Sequence, residues 1–215
     1  MKITKYPQSC LMVETNNIKF LIDPGRLKYD DEFLNEWKET DFILVTHKHQ
    51  DHIKIDAIKE ISKPTYSTSE VQNTYKDYKF NIVKENDILK FGNVKIEVVK
   101  AIHGYNPLLK GNGEVFENVG FIIDDSVHRL YITSDTICFN NDYKCDVVAL
   151  PITAHGLTMS SYEAALFAKE LESKLTLVTH MDNDFYETDI NYMKENFKEF
   201  DINYKVLNIK ETIEL

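Results

Sequence analysis

Thr46-His47-Lys48-His49-Gln50-Asp51-His52 places three imidazoles and a carboxylate within six residues, directly after the apolar run Phe42-Ile43-Leu44-Val45. Neutral imidazole and carboxylate are good ligands for zinc, manganese or iron, and none of these metals needs a cysteine here. In an extended segment side chains alternate, so His47, His49 and Asp51 are expected on one side, with a bend at His52 bringing the fourth ligand round. Such a set suits two adjacent divalent metal ions, zinc foremost. The bland alternative is a polar loop whose histidines cap the strand or face solvent, but ligand types at this density seldom arise by accident.

His-x-His-x-Asp-His after a hydrophobic strand ending in Thr resembles the signature of the metallo-β-lactamase fold superfamily. The resemblance implies further ligands in a fixed chain order: a His, a metal-bridging Asp and a last His, each shortly after a strand. His103 follows the run Val94 to Val99, Asp135 follows Leu130-Tyr131-Ile132-Thr133-Ser134, and His180 follows Leu175 to Thr179. Five of the seven histidines thus fall where the resemblance puts ligands. Carried over by motif position, His47, His49 and His103 would hold one metal and Asp51, His52 and His180 the other, with Asp135 bridging. The implied chemistry is hydrolysis of a small, anionic, ester-type molecule, a lactone or a phosphodiester. A hydroxide bridging the metals attacks, one metal polarises the substrate oxygen, and Asp51 can accept a proton. In Asp23-Pro24-Gly25 the resemblance also implies that Asp23 braces the ligand loop, where the plain reading is an ordinary turn.

Leu150-Pro151-Ile152, Thr158-Met159 and Glu163-Ala164-Ala165 resemble the branch containing L-ascorbate 6-phosphate lactonase and related uncharacterised metal-dependent hydrolases. Thr153-Ala154-His155 departs from the Gly-rich segment expected there. His155 is a catalytic candidate, placed to hydrogen-bond a substrate anion or protonate a leaving group; a loop histidine with a local partner is the alternative. Flavodiiron oxidoreductases carry a Glu at the position of His49, which argues against a redox di-iron site. Two other readings stay open. One is a mononuclear iron oxygenase of the persulfide dioxygenase kind, with iron on the His47, His103 and Asp135 side. The other is a non-catalytic protein that keeps the cluster for structure or metal sensing.

Positioning these ligands requires strands that end at each of them. The resemblance implies a four-layer αββα sandwich, α/β (α+β) in class, and residues 1–215 suffice for one such domain. Strands are expected at Cys10 to Thr15 and Ile18 to Ile22, around an Asn16-Asn17 hairpin turn. Further strands are expected at Phe42 to Thr46, Pro64 to Ser67, Phe80 to Val83, Ile88 to Phe91, Val94 to Val99, Val119 to Ile123, Arg129 to Thr133, Asp146 to Leu150 and Leu175 to Thr179, with Tyr204 to Asn208 as the last long one. Helical spacing marks Asp31 to Lys38, Ile55 to Ser62, Ser69 to Lys76, Tyr162 to Leu171 and Met193 to Phe200, with Ser160 or Ser161 as an N-cap. The loop from 104 to 118 is read as a substrate-side flap, with a plain surface loop as the alternative, and His128 as a solvated bystander.

A chain 43% hydrophobic and 28% charged is globular in composition. Its net charge of −10 opposes phosphate backbones, so no nucleic-acid partner is expected, although a metal pair still attracts a small anion locally. The start Met1-Lys2-Ile3-Thr4-Lys5-Tyr6 has no long apolar stretch, and a cytoplasmic protein without a membrane partner is expected. Cys10, Cys138 and Cys145 are read as reduced thiols; Cys138, three residues after Asp135, is read as a small buried one.

Overall fold

A computed structural model describes residues 1–108, 113–153, 155–183 and 187–215. The first half of the chain forms β1 (Lys2–Lys5), β2 (Leu11–Thr15), β3 (Ile18–Ile22), α1 (Asp31–Trp37), β4 (Phe42–Leu44), α2 (Ile55–Ile61), β5 (Thr65–Ser67), α3 (Ser69–Thr74) and β6 (Asn81–Ile82). The second half forms β7 (Ile88–Phe91), β8 (Val94–Lys100), β9 (Val119–Asp124), β10 (Arg129–Ile132), β11 (Val147–Pro151), α4 (Ser161–Leu171), β12 (Leu175–Thr179), α5 (Ile190–Glu199), β13 (Tyr204–Val206) and β14 (Thr212–Glu214).

Local chemistry accounts for several boundaries. Asn16 and Asn17 both take left-handed φ, 49° and 61°, as a two-residue turn between twisted antiparallel strands requires, and Thr15 pairs with Ile18. At α4, Ser160 Oγ accepts from the Glu163 N–H while the Glu163 carboxylate accepts from the Ser160 N–H, a reciprocal cap that starts the helix at Ser161.

Two seven-stranded sheets result, ordered β14-β1-β2-β3-β4-β5-β6 and β13-β12-β11-β10-β9-β8-β7. Each has the same plan: antiparallel from β1 to β3 and from β7 to β10, then parallel across β3-β4-β5-β6 and β10-β11-β12-β13. The repeated Val-Thr-His, at 45–47 and 178–180, leaves a parallel strand in each sheet.

Side-chain alternation builds the layers. Phe121 and Ile123 of β9 join Val13, Phe20 and Leu44 in a core between the sheets, while Ile122 points outward to pack with Phe167 of α4 and Phe197 of α5. On the outer face of the first sheet, Leu21 and Ile43 meet Trp37 of α1, Ile58 of α2 and Val71 of α3. Helices therefore cover both outer faces, and the expected αββα sandwich is present. Burial on both faces explains why Val119 to Ile123 reads as a continuous apolar run.

Three strands depart from expectation. β1 was not expected, and β13 is only three residues long and not the last strand: the chain continues to β14, which crosses to the other sheet and pairs with β1, Ile3 opposite Ile213. Neither β1 nor β14 has enough apolar alternation to declare itself; pairing with a partner about 200 positions away makes them strands. Among the described residues, no helix is long and apolar enough to cross a membrane.

Candidate metal centre

Every ligand position lies just beyond the carboxyl end of a strand: β4 for His47 to His52, β8 for His103, β10 for Asp135 and β12 for His180. The segment after β4 is not extended. His52 N–H and Ile53 N–H both donate to the His49 carbonyl, at 3.0 and 3.1 Å, so the chain turns through Gln50-Asp51. The turn divides ligands that the alternation argument put on one side. His47 and His49 converge with His103; Asp51 and His52 converge with Asp135 and His180; within each group the ligand atoms lie within 4.8 Å of one another. All seven expected ligands are therefore brought together, in two adjoining sets.

The imidazoles are oriented from behind. Thr46 Oγ1 and Ser134 Oγ lie 3.1 and 3.4 Å from His47 Nδ1. Both hydroxyls already donate elsewhere, to Asp23 and to Asn118, so both accept from His47 Nδ1–H, and the Nε2 lone pair faces the site. His103 Nδ1 donates to the Gly104 carbonyl at 2.7 Å and His52 Nδ1 to Asp23 Oδ2 at 2.8 Å. The Thr153 hydroxyl donates to the His180 carbonyl and so accepts from His180 Nδ1, at 2.6 Å. A histidine whose rear nitrogen is engaged in this way presents its other nitrogen in a fixed direction, as metal-ligating histidines do. His49 Nε2 lies 3.4 Å from the Gly113 carbonyl.

Asp23 fills the bracing role that the resemblance implied. Fully buried, with φ 48°, it accepts from Thr46 N–H, Thr46 Oγ1 and His52 Nδ1, each at 2.8 Å. Gly25 lies so close to the ligand turn that a Cβ there would fall 1.7 Å from the Asp51 carbonyl oxygen. Arg26 N–H to Gln50 O and Lys54 N–H to Pro24 O, both 2.7 Å, complete the cradle.

Residues that the motif reading missed support the other ligands. Asn118 donates to the Asp135 carbonyl at 2.7 Å and accepts from Ser134. Lys5, buried at the end of β1, donates to Asp182 at 2.6 Å and to the Tyr6 carbonyl; Asp182 also accepts from Gln8 N–H, and the Gln8 carbonyl accepts from His180 N–H. Such partners carry no local signal, because each comes from a distant part of the chain.

The two sets differ electrostatically. Burial, helped by the charge on His52, holds His47 well below the ordinary histidine range, and burial takes His103 down to about 4, so both are neutral. Burial also opposes charge on His52 and His180, but Asp135, with Asp23 at His52 and Asp51 at His180, outweighs it. His52 is raised well above the usual range and His180 to about 9. Protons there balance the carboxylates, and a divalent cation would supply the same charge.

The side chains fit a metal. His47 Nε2, His52 Nε2, His103 Nε2 and Asp135 Oδ1 are buried without a hydrogen-bond partner; His52 Nε2 and Asp135 Oδ1 stand 3.2 Å apart but unaligned. A buried polar atom left bare costs roughly 1–3 kcal/mol, so His47 Nε2 and His103 Nε2 in the first set, with the unaligned His52–Asp135 pair in the second, point to ligands that engage them.

His155 is half-buried beside the second set, its ring centroid 5.9 Å from that of His180, and its Nδ1 lies 3.4 Å from Leu157 N–H. Ala154, in the departure from the Gly-rich pattern, lies outside the described residues, as do 109–112 of the expected flap, Gly111 among them. His128 is away from both sets but half-buried against Asp125, so it is not fully solvated. Cys138 is half-buried against the helical layer of the second sheet and belongs to neither ligand set.

Fold and site together define a class: the chain belongs to the metallo-β-lactamase fold superfamily, and the family described as "Beta-lactamase superfamily domain" matches residues 2–180. It is 32% identical over 204 residues to a UPF0173 metal-dependent hydrolase of Christiangramia forsetii, covering 86% of this chain and 87% of that protein. A UPF0173 metal-dependent hydrolase of Flavobacterium johnsoniae is 30% identical over 202 residues, with 86% and 87% covered. A metallo hydrolase of the archaeon Ignicoccus hospitalis superposes with a TM-score of 0.80 over 99% of this chain and 97% of its own, at 23% identity, which shows the shared fold.

Proposed function

We propose that this protein is a metal-dependent hydrolase of one domain, residues 1–215, acting in the cytoplasm on an ester-type bond of a small anionic molecule. A lactone is the first choice, favoured by the resemblance to the ascorbate-phosphate lactonase branch, and a phosphodiester the second. The observation that carries this reading is the convergence, in two adjoining sets, of four buried ligand atoms without a hydrogen bond, from His47, His52, His103 and Asp135. Relatives at 30–32% identity described as metal-dependent hydrolases support it.

His47, His49 and His103 would hold one divalent ion and Asp51, His52 and His180 the other, with Asp135 between them; zinc is the first expectation, manganese or iron the alternatives. Bound there, the ions supply Lewis acidity and a water of lowered pKa. The chain's own groups do the remaining work. Asp23, Thr46, Ser134 and Thr153 keep the imidazoles aimed, so little reorganisation accompanies the reaction. The Asp51 side chain, 25% exposed beside His180, is the chain's candidate proton acceptor. His155 is held neutral by burial and by His180. With Nδ1 accepting from Leu157 N–H, it carries its proton on Nε2, from which it donates a hydrogen bond to a substrate anion or to charge developing on a leaving group.

Elemental analysis of the purified protein, with His49→Ala as control, tests this. Two zinc or manganese ions per chain, reduced in the variant, are expected, followed by turnover in a panel of lactones, phosphodiesters and thioesters. A single iron per chain would replace the hydrolase with a mononuclear oxygenase. Protein that refuses added zinc and manganese would end the metal reading.

A further inference from the structure

A cleft of about 530 Å³ opens beside His103, within the roughly 300–1,000 Å³ typical of small-molecule sites. Ile82, Val83, Ile102, Val115 and Phe116 line it together with His103. Ile82 and Phe116 are 50% and 79% exposed, large apolar side chains held in water. The two lysines and two glutamates that also line the cleft cancel in charge, so recognition there rests on apolar contact.

The Phe116 wall is fixed in place. Glu70 of α3 accepts from the backbone N–H groups of Phe116 and Glu117, both at 2.9 Å, and from Lys48 Nζ at 2.6 Å. Lys48 Nζ also donates to the Glu114 carbonyl and stands 5.7 Å from the Phe116 ring centroid. Glu117 in turn accepts from Ser69 Oγ and Glu70 N–H. Because Lys48 lies between His47 and His49, the ligand segment and the cleft wall are tied into one unit.

We propose that this cleft seats the apolar part of the substrate, so that the molecule hydrolysed is an ester carrying a medium-length hydrocarbon chain or an aryl body. The Lys48–Glu70 pair positions the wall that grips it. This rests on the hydrolase reading above for the identity of the reacting bond, but not for the existence of the subsite.

The test uses metal-loaded protein and two readouts: kcat/KM across methyl butyrate, hexanoate and octanoate, and calorimetric binding of butyrate against octanoate. Four more methylenes, partly buried, are expected to raise both kcat/KM and affinity at least about tenfold. Ile82→Asp and Phe116→Ser are each expected to collapse the octanoate-to-butyrate ratio toward one. Val127→Asp, at an exposed apolar residue in the β9–β10 turn, is expected to leave the ratio as it was. If no methyl ester is hydrolysed, the functional reading stands or falls on the panel of lactones, phosphodiesters and thioesters, while the cleft is judged on binding alone. Octanoate preferred over butyrate, with the preference lost in Ile82→Asp, then upholds it. Equal affinities, or a preference that survives both cleft substitutions, overturn it.

Discussion

Asp23 and His52 share a hydrogen bond of 2.8 Å, Nδ1–H donating to Oδ2, with both side chains fully shielded from solvent. The same carboxylate accepts from Thr46 N–H and Oγ1, so one residue holds both ends of the ligand segment. An amide retains the shape but replaces one acceptor oxygen by a donor. Asp23→Asn is therefore expected to lower metal affinity by about 10–100-fold, measured by competition with a chromophoric chelator. Unaltered affinity would reduce Asp23 to a turn residue.

Gly25 tests steric fit in the same cradle. A methyl group 1.7 Å from the Asp51 carbonyl oxygen has no flexible side chain to displace, only the backbone of a ligand. Gly25→Ala is expected to destabilise the fold by roughly 1–3 kcal/mol or more and to weaken metal uptake. Urea unfolding with a wild-type midpoint would contradict this.

Lys5 joins the two sheets near the last ligand. Its side chain is 2% exposed and that of Asp182, two residues past His180, 19%. Lys5→Met leaves the carboxylate without its cation, and the loss is expected near the lower end of the ~3–5 kcal/mol seen when one partner of a buried pair is removed. Adding Asp182→Asn should recover part of it; a double variant no better than the single would show that the pair does not matter.

His155 separates catalysis from metal holding. His155→Phe is expected to lower kcat by about 10²–10³-fold, as for a lost hydrogen-bond donor to developing negative charge, while the metal content stays at the wild-type value. Wild-type kcat would return His155 to a loop histidine bound to its neighbours.

The elements were legible because their signals are local. Asn16-Asn17 could serve the left-handed turn, and Ser160 could cap α4, whatever the rest of the chain did. The seven ligand positions were legible for a different reason: each follows a recognisable strand, and the chain order of a motif survives folding. Less was readable in short polar segments, where β1 and β14 become strands only by pairing with each other across nearly the whole chain.

Residue chemistry by itself thus determined that the His47 to His52 segment could bind a metal, and the resemblance implied His103, Asp135 and His180 at later strand ends. How those ligands divide was implied by the resemblance, and tertiary structure supplied its physical cause. The His49–His52 turn sends His47 and His49 to one set and Asp51 and His52 to the other, a split that alternation along an extended segment cannot produce. It also decided which hydroxyls, carboxylates and carbonyls stand behind each imidazole and where the apolar cleft opens. Those features depend on distances between residues far apart in sequence, and a linear pattern carries no record of such distances.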